Sequence, residues 1–219
     1  MKKFASITVI SDRRNWMNEF LPAWLLKLKP LVEDIIWVHE VRDMTGGDIA
    51  FYLGCGEIVP PAILSLYERN LVVHASDLPK GKGWSPLAWQ ILEGKSDIPV
   101  SLFEAAERVD SGPIYLKRTL SFRGTELIDE MRRELARATF EMCGEFLDRY
   151  PGIVAEAVPQ EGEATFYPKR TPADSRLNPD LSIRDQFALM RVADNERYPC
   201  YFELDGDTFV VKVEKKKVT

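Results

Sequence analysis

The sequence is short of the residues that announce metal and disulfide chemistry. Its 3 cysteines, Cys55, Cys143 and Cys200, lie far apart and form no C-x-x-C pair, so neither a disulfide framework nor a zinc site is indicated. No metal site is expected, and a reducing cytoplasm is the expected home. Histidine is rarer still: His39 and His74 are the only 2, so any imidazole chemistry has two candidates. No apolar run approaches the roughly 18 residues of a membrane helix, and no membrane association is expected. The opening MKKFASITVISDRR lacks a small-residue cleavage site and reads as a first strand, not a signal peptide. Positive charge is not in excess either, with 29 Lys+Arg against 34 Asp+Glu and a net charge of −5, which argues against a nucleic-acid partner. There are no internal repeats and no low-complexity linker. At 45% hydrophobic and 29% charged residues, disorder and collagen-like repeats are excluded. The 219 residues suit one domain with a modest C-terminal annex, large enough to bury a core without staples.

What is present is an alternation of strand and helix signals. Residues 5–10 are a β-branched run ending at Ser11-Asp12-Arg13-Arg14. Asp12 or Asn15 can cap the amphipathic stretch that follows, with Phe20, Trp24, Leu25 and Leu28 on one face. Residues 34–40 read as a second strand with His39 on it, internal and structural. Residues 48–53 are a third strand, stopping at Gly54-Cys55-Gly56. Pro60-Pro61 opens a helix through about Glu68, LVVH (71–74) is a fourth strand, and Pro86 opens a helix through about Leu92. Extended segments follow at 98–106 and 113–122. The order predicts a mostly parallel sheet with helices on both faces and with its functional loops gathered at one edge. Thr125 is the expected cap of the longest helix, to about Arg149, whose stripe Leu127, Met131, Leu135, Ala138, Met142 and Phe146 reads as core. Beyond Pro151 the chain turns Pro-rich, then gives a short helix at about 182–193. It closes with two strands around Asp205-Gly206 and a tail, KVEKKKVT, that is expected to fray. The closing strands suit a small α+β annex ending in a hairpin, or pairing with a second subunit, so a homodimer stays open.

The strongest candidate for chemistry is Val72-Val73-His74-Ala75-Ser76-Asp77-Leu78-Pro79-Lys80-Gly81-Lys82-Gly83-Trp84-Ser85-Pro86. A histidine at the end of a parallel strand sits at the ligand-binding edge of such a sheet. The loop after it offers glycines for close backbone approach, lysines for charge and a helix start. A strand-end histidine is also a common structural residue and a Gly-Lys loop a common turn, so these residues alone leave both readings open.

The same stretch resembles the folate-dependent formyltransferases, whose signature is Asn-x-His followed by a small residue, Ser, x, Leu-Pro and a basic glycine-containing loop. His74, Ser76, Leu78-Pro79 and Gly83 to Pro86 fit it. Val109-Asp110-Ser111-Gly112 resembles the family's Asp-x-Gly segment, 36 residues beyond His74, and Gly54-Cys55-Gly56-x-Ile58-x-Pro60 resembles its pterin-holding segment. The resemblance implies an α/β, Rossmann-like formyltransferase fold, with residues 1–150 as catalytic domain and 151–219 as a small annex contributing to acceptor binding. It implies N10-formyltetrahydrofolate as formyl donor, held by Gly54, Cys55, Gly56, Ile58, Arg108 and Val109, and an enzyme working through His74 and Asp110. One family position departs. Val72 stands where the asparagine that helps hold the oxyanion is expected, and Asn70 lies another ~7 Å back along the strand. A backbone N–H, a water or a side chain of the 76–85 loop is then needed in its place. Cys55 has no base beside it in sequence, which argues against a nucleophile.

The annex bears on the acceptor. Its 69 residues carry ten Lys+Arg against twelve Asp+Glu, which does not suit tRNA. Thr165, Tyr167-Pro168-Lys169-Arg170-Thr171-Pro172-x-Asp174 and Asp194-Asn195-Glu196-Arg197-Tyr198-Pro199 resemble segments of sugar-nucleotide formyltransferases, closest to those of pseudaminic and related nonulosonic acid sugars. That implies a nucleotide-linked amino sugar such as a UDP-4-amino-4,6-dideoxy sugar. The candidate acceptor residues are Ser76, Lys80, Lys82, Trp84, Tyr167, Arg170 and Asn195, with lysine and arginine for the diphosphate and aromatic faces for the base or sugar. A glycinamide ribonucleotide formyltransferase-like enzyme, a 10-formyltetrahydrofolate hydrolase and a non-catalytic folate or nucleotide binder are the other readings.

Overall fold

The computed structural model describes residues 3–216. The β-branched run near the start forms β1 (Phe4–Ile10), and its alternation sets up two layers: Ile7 and Val9 are buried on one face of the sheet and Ile10 on the other. In chain order there follow α1 (Leu21–Leu28), β2 (Val32–Val38), β3 (Gly47–Tyr52), the one-turn α2 (Pro61–Leu64), β4 (Tyr67–His74), the two-residue β5 (Lys82–Gly83) and α3 (Pro86–Leu92). Next come β6 (Asp97–Glu104), β7 (Ile114–Ser121), α4 (Ile128–Arg149), the two-residue β8 (Phe166–Tyr167), α5 (Phe187–Val192), β9 (Cys200–Leu204) and β10 (Asp207–Val211). The central sheet runs β2-β1-β3-β4-β6-β7; the first three junctions are parallel and the last two antiparallel. This is the mostly parallel α/β fold that the sequence predicts, with the hairpin β9–β10 at its end.

The larger core lies under α1, α3 and α4. Trp24 of α1 joins it to the sheet and to α4, edge-on to Phe51 with ring centroids 5.5 Å apart and stacked on Phe140 at 4.9 Å. Met131, Leu135, Ala138, Met142 and Phe146 of α4 are buried, as their spacing predicts, whereas Leu127 precedes the helix and is half-buried. The opposite face carries a smaller cluster of Ile10, Val41, Met44, Ala50, Tyr52 and Tyr67, covered by α2 and the 41–44 turn. Among the described residues no helix is long and apolar enough to cross a membrane.

The structure corrects several boundaries. The helix opened by Pro60-Pro61 ends after one turn, because β4 begins at Tyr67: that residue pairs with Gly47, and its hydroxyl donates to Thr8 Oγ1 at 3.1 Å. Glu68 is therefore in a strand. Asn15, not Asp12, caps the first helical turn, accepting from the Met17 N–H at 2.9 Å. The longest helix begins at Ile128 without a Thr125 cap. Its entry is held instead by Glu126, which accepts from the N–H groups of Arg123, Gly124 and Thr125 at 3.0, 3.1 and 3.2 Å. Glu130 accepts from the Leu127 N–H at 2.8 Å. Lys215, expected to fray, pairs with Glu130, while Lys217 to Thr219 lie outside the described residues.

Glu126 also receives the Arg191 side chain from the annex, at 3.3 Å. Burial by itself raises its pKa, but the backbone N–H groups of Arg123, Glu126 and Gly124 and the Arg123 side chain outweigh that and bring it to about 2. A depressed carboxyl stabilises the fold above its unfolded value and loses that contribution as pH falls toward the folded one. Glu126→Gln is expected to cost roughly 1–2 kcal/mol at pH 7, read from urea midpoints. The gap between variant and parent should stay full above about pH 5 and close as pH falls through 4.5 toward 2.

Candidate active site

Strand parity puts Asn70, Val72 and His74 of β4 on one face, the side of the smaller core. The Asn70 amide is engaged there: Oδ1 accepts from the Tyr52 hydroxyl and Nδ2 donates to Leu64 O, both at 2.9 Å. It cannot reach forward to His74, and Val72 brings no donor. His74 ends the strand with its side chain 11% exposed. Its Nε2 donates to Gly81 O at 2.9 Å, and the same nitrogen lies 3.8 Å from Asp110 Oδ2. Nδ1 has no hydrogen-bond partner among the described residues, so it is the ring position left for a reacting group.

Asp110 arrives from the β6–β7 connection with φ +50°, a left-handed backbone that only glycine adopts freely. Its Oδ2 accepts from the Gly83 N–H at 2.9 Å. Gly83 has no substitute: at φ +93° an added Cβ would meet Tyr167 O at 2.6 Å. Two residues beyond Asp110, a Cβ on Gly112 would fall 1.9 Å from Glu104 O. The two residues that the sequence pairs across 36 positions thus meet in a frame fixed by backbone close approach.

A cleft of about 290 Å³ opens beside them. Tyr52, Val72, Phe103, Leu64, Val59 and Val109 give it apolar walls, Gly54 to Ile58 one rim, and His74, Gly83 and Asp110 its polar end. Asp12 secures the rim by accepting the Gly56 N–H at 3.1 and 3.2 Å, and Asn15 does so by donating to Gly54 O at 2.9 Å. Burial pushes the Cys55 thiol up to about 11, so it stays protonated near neutrality and makes a poor nucleophile. Among the described residues no group of three or more His, Cys, Asp or Glu side chains is placed to hold a metal ion.

Trp84 is 42% exposed and forms the wall between this cleft and a second, more polar hollow that also holds Asp12, Arg13, His39, Glu40 and Lys169. The Lys169 ammonium lies 4.9 Å over the Trp84 ring. His39 is not on an internal strand. β2 is the sheet edge and ends at Val38, which leaves His39 at the loop edge with Nδ1 2.8 Å from Ser11 O.

Other residues singled out from sequence are spent elsewhere. Ser76 and Lys82 are buried, and Lys80 and Arg108 are exposed on the surface; none of the four lines either hollow. Tyr167 stacks on Trp89 and donates to Glu93 at 2.8 Å. Arg170 donates to Val192 O and Asp174 O, both at 3.3 Å, and burial lowers its pKa. Asn195 exchanges two hydrogen bonds with the Val213 backbone. The structure therefore does not bring Tyr167, Arg170 or Asn195 to the cleft, because each ties down the annex. Sequence reasoning passed over Gln160, whose Nε2 donates to Asp110 O and Gly112 O at 2.9 Å, and gave no role to Thr165, whose Oγ1 accepts the Gly81 N–H at 2.8 Å. Lys169, adjacent to the nominated Arg170, reaches the hollow together with Arg13.

Residues 37–145 match the family model described as formyl transferase. A methionyl-tRNA formyltransferase of Thermodesulfovibrio yellowstonii is 27% identical over 170 residues, covering 76% of this chain and 54% of its own length. The chain spans about half the length of the curated relatives it matches. Among solved structures, HypX from Aquifex aeolicus in complex with tetrahydrofolic acid matches with TM-score 0.79 at 20% identity, over 97% of this chain and 38% of that one. A sugar N-formyltransferase from a Shewanella species matches with TM-score 0.68 at 14% identity, over 98% of this chain and 99% of that one.

The close approach at Gly112 has a direct consequence. Gly112→Ala is expected to push the 110–112 turn off Glu104 and to lower stability by roughly 1–3 kcal/mol, measured by denaturant unfolding.

Proposed function

The chain belongs to the formyl transferase family, and from that premise we propose that it transfers a formyl group from N10-formyltetrahydrofolate to the amine of a nucleotide-linked amino sugar. The observation that carries this reading is the His74–Asp110 pair, 3.8 Å apart at the polar end of an apolar cleft. A flat pterin suits that cleft: its volume of about 290 Å³ takes one small ring system, and the apolar walls with a backbone rim at Gly54 to Ile58 give it faces and edges to meet. In this reading residues 1–150 do the chemistry and 151–219 contribute to acceptor binding.

Bound N10-formyltetrahydrofolate supplies a formyl carbon that an amine can attack, through a tetrahedral oxyanion and with N10 as leaving nitrogen. In the chain, Gly81 O takes the Nε2–H of His74 and Asp110 stands beside the same nitrogen, so that edge of the ring is held and Nδ1 is the edge turned to the reacting group. His74 then presents Nδ1–H to the oxyanion and delivers that proton to the leaving nitrogen. Asp110 orients the ring and accepts the amine proton, directly or through water. The net transfer is one proton from amine to N10. With Val72 offering no donor and Asn70 engaged by Tyr52 and Leu64, His74 carries the oxyanion role that the family shares with an asparagine.

Two features support a sugar nucleotide as acceptor. The annex has no basic excess, ten Lys+Arg against twelve Asp+Glu, where tRNA would favour one. The exposed Trp84 ring with Lys169 over it offers a base or sugar a flat apolar face beside a cation for a phosphate. A UDP-4-amino-4,6-dideoxy sugar of the pseudaminic type is the specific acceptor proposed.

The test is formyl transfer from 10-formyltetrahydrofolate, followed by absorbance, for the parent protein and His74→Asn. The variant is expected to lose about 10²–10⁴-fold in kcat while its folate affinity, measured by calorimetry, stays close to the parent's. Full activity in His74→Asn would remove the imidazole from the chemistry. Donor loss that needs no amine would make the protein a hydrolase.

A further inference from the structure

The turn that carries Asp110 is held from outside. Residues 158–167 of the annex run across the site as a strap. Val158 exchanges two backbone hydrogen bonds with Ile114 at 2.8 Å, Thr165 takes the Gly81 N–H, and β8 pairs with β5. At its centre Gln160 puts both protons of one amide nitrogen to use, one on Asp110 O and one on Gly112 O, each at 2.9 Å. Both carbonyls belong to the turn with the left-handed Asp110 and the glycine that has no room for a Cβ. Gln160 Oε1 is buried and has no partner among the described residues. An amide whose oxygen goes bare while its nitrogen is doubly used is in place for its donors. Strain and unmet polar groups gathered within a few residues of one carboxylate mark a geometry imposed for use.

We propose that Gln160 is a positioning residue for Asp110: by bridging the Asp110 and Gly112 carbonyls it fixes the left-handed turn that aims the carboxylate at Gly83 N–H and His74 Nε2. The catalytic part of the proposal rests on the formyl-transfer reading above; the positional part does not. Without the bridge the turn relaxes toward ordinary backbone angles and the carboxylate drifts from the imidazole. Gln160 contributes no wall to the donor cleft, and the cleft's sides from Tyr52, Val72 and Phe103 keep their places.

Gln160→Met removes both donors at nearly constant volume. Its kcat is expected to fall about 10–100-fold, the loss typical of a catalytic group displaced by an ångström or so, with little change in KM for 10-formyltetrahydrofolate. A double-mutant cycle asks through what Gln160 acts: on an Asp110→Asn background the methionine should cost almost nothing more. Losses that multiply, or a Gln160→Met enzyme with parental kcat, would overturn the proposal. The second arm needs no turnover. With only 2 histidines in the chain, ring ¹⁵N–¹H spectra are simple. Gln160→Met should move the His74 resonance and leave His39 unmoved, whereas general loosening would move both. An unmoved His74 overturns the positional claim. A moved His74 in a protein that transfers no formyl group overturns the functional reading and leaves the positioning intact. Gln160→Ala leaves space for a water to bridge the same carbonyls and covers the case in which the methionine variant does not fold; it is expected to shift the same resonance.

Discussion

One hydrogen bond, from the Gly83 N–H to the Asp110 carboxylate, joins the parts that have to meet for this site to exist. It ties the loop after β4 to the β6–β7 connection, and it holds Oδ2, the same carboxylate oxygen that lies 3.8 Å from His74 Nε2. Both side chains are largely out of water, where an unpaired charge is costly and a paired one is felt strongly. The surrounding demands follow from this bond. Gly83 must be glycine to bring its amide under Tyr167, Gly112 must be glycine to pass Glu104, and Asp110 must hold a left-handed backbone.

The annex is in part an anchor for that geometry. Its ion pairs with the body, Arg132 to Asp194 at 2.9 Å and Arg191 to Glu126 at 3.3 Å, are shielded enough to hold. Between them the 158–167 strap reaches Asp110, Gly81 and β5. That segment contacts both the loop after β4 and the turn of Asp110, so it holds the carboxylate's frame from outside the central sheet.

How much of this was legible in the sequence depended on whether a residue's role was local. The strands β1, β3 and β6, the stripe of α4 and the Asp205-Gly206 hairpin followed from periodicity and turn chemistry. His74, Asp110 and the 54–58 segment were singled out by their resemblance to family motifs, and the fold brings them to one cleft. What failed was tertiary. Prolines 60 and 61 start a helix, but the pairing of Tyr67 with Gly47 overrides it within one turn. Thr125 has the chemistry of a cap, yet the helix starts only at Ile128: Glu130 takes the Leu127 N–H, and Glu126 folds back onto the N–H groups of Gly124 and Thr125. His39 looked internal because strand order is not written in strand sequence. Arg170, Tyr167 and Asn195 have the side chains of a binding site and are consumed by the annex's own backbone and neighbours. Two-residue strands such as β5 and β8 have no period to read, so the strap and Gln160 were invisible.

The central claim is that this site formylates an amino sugar, and the product itself tests it most directly. The protein would be incubated with 10-formyltetrahydrofolate and either a UDP-4-amino-4,6-dideoxy sugar or methionyl-tRNA, and both acceptors analysed by mass spectrometry. The account predicts that the sugar nucleotide gains one formyl group and that the tRNA is unchanged. Formyl-methionyl-tRNA in place of a formylated sugar would contradict it.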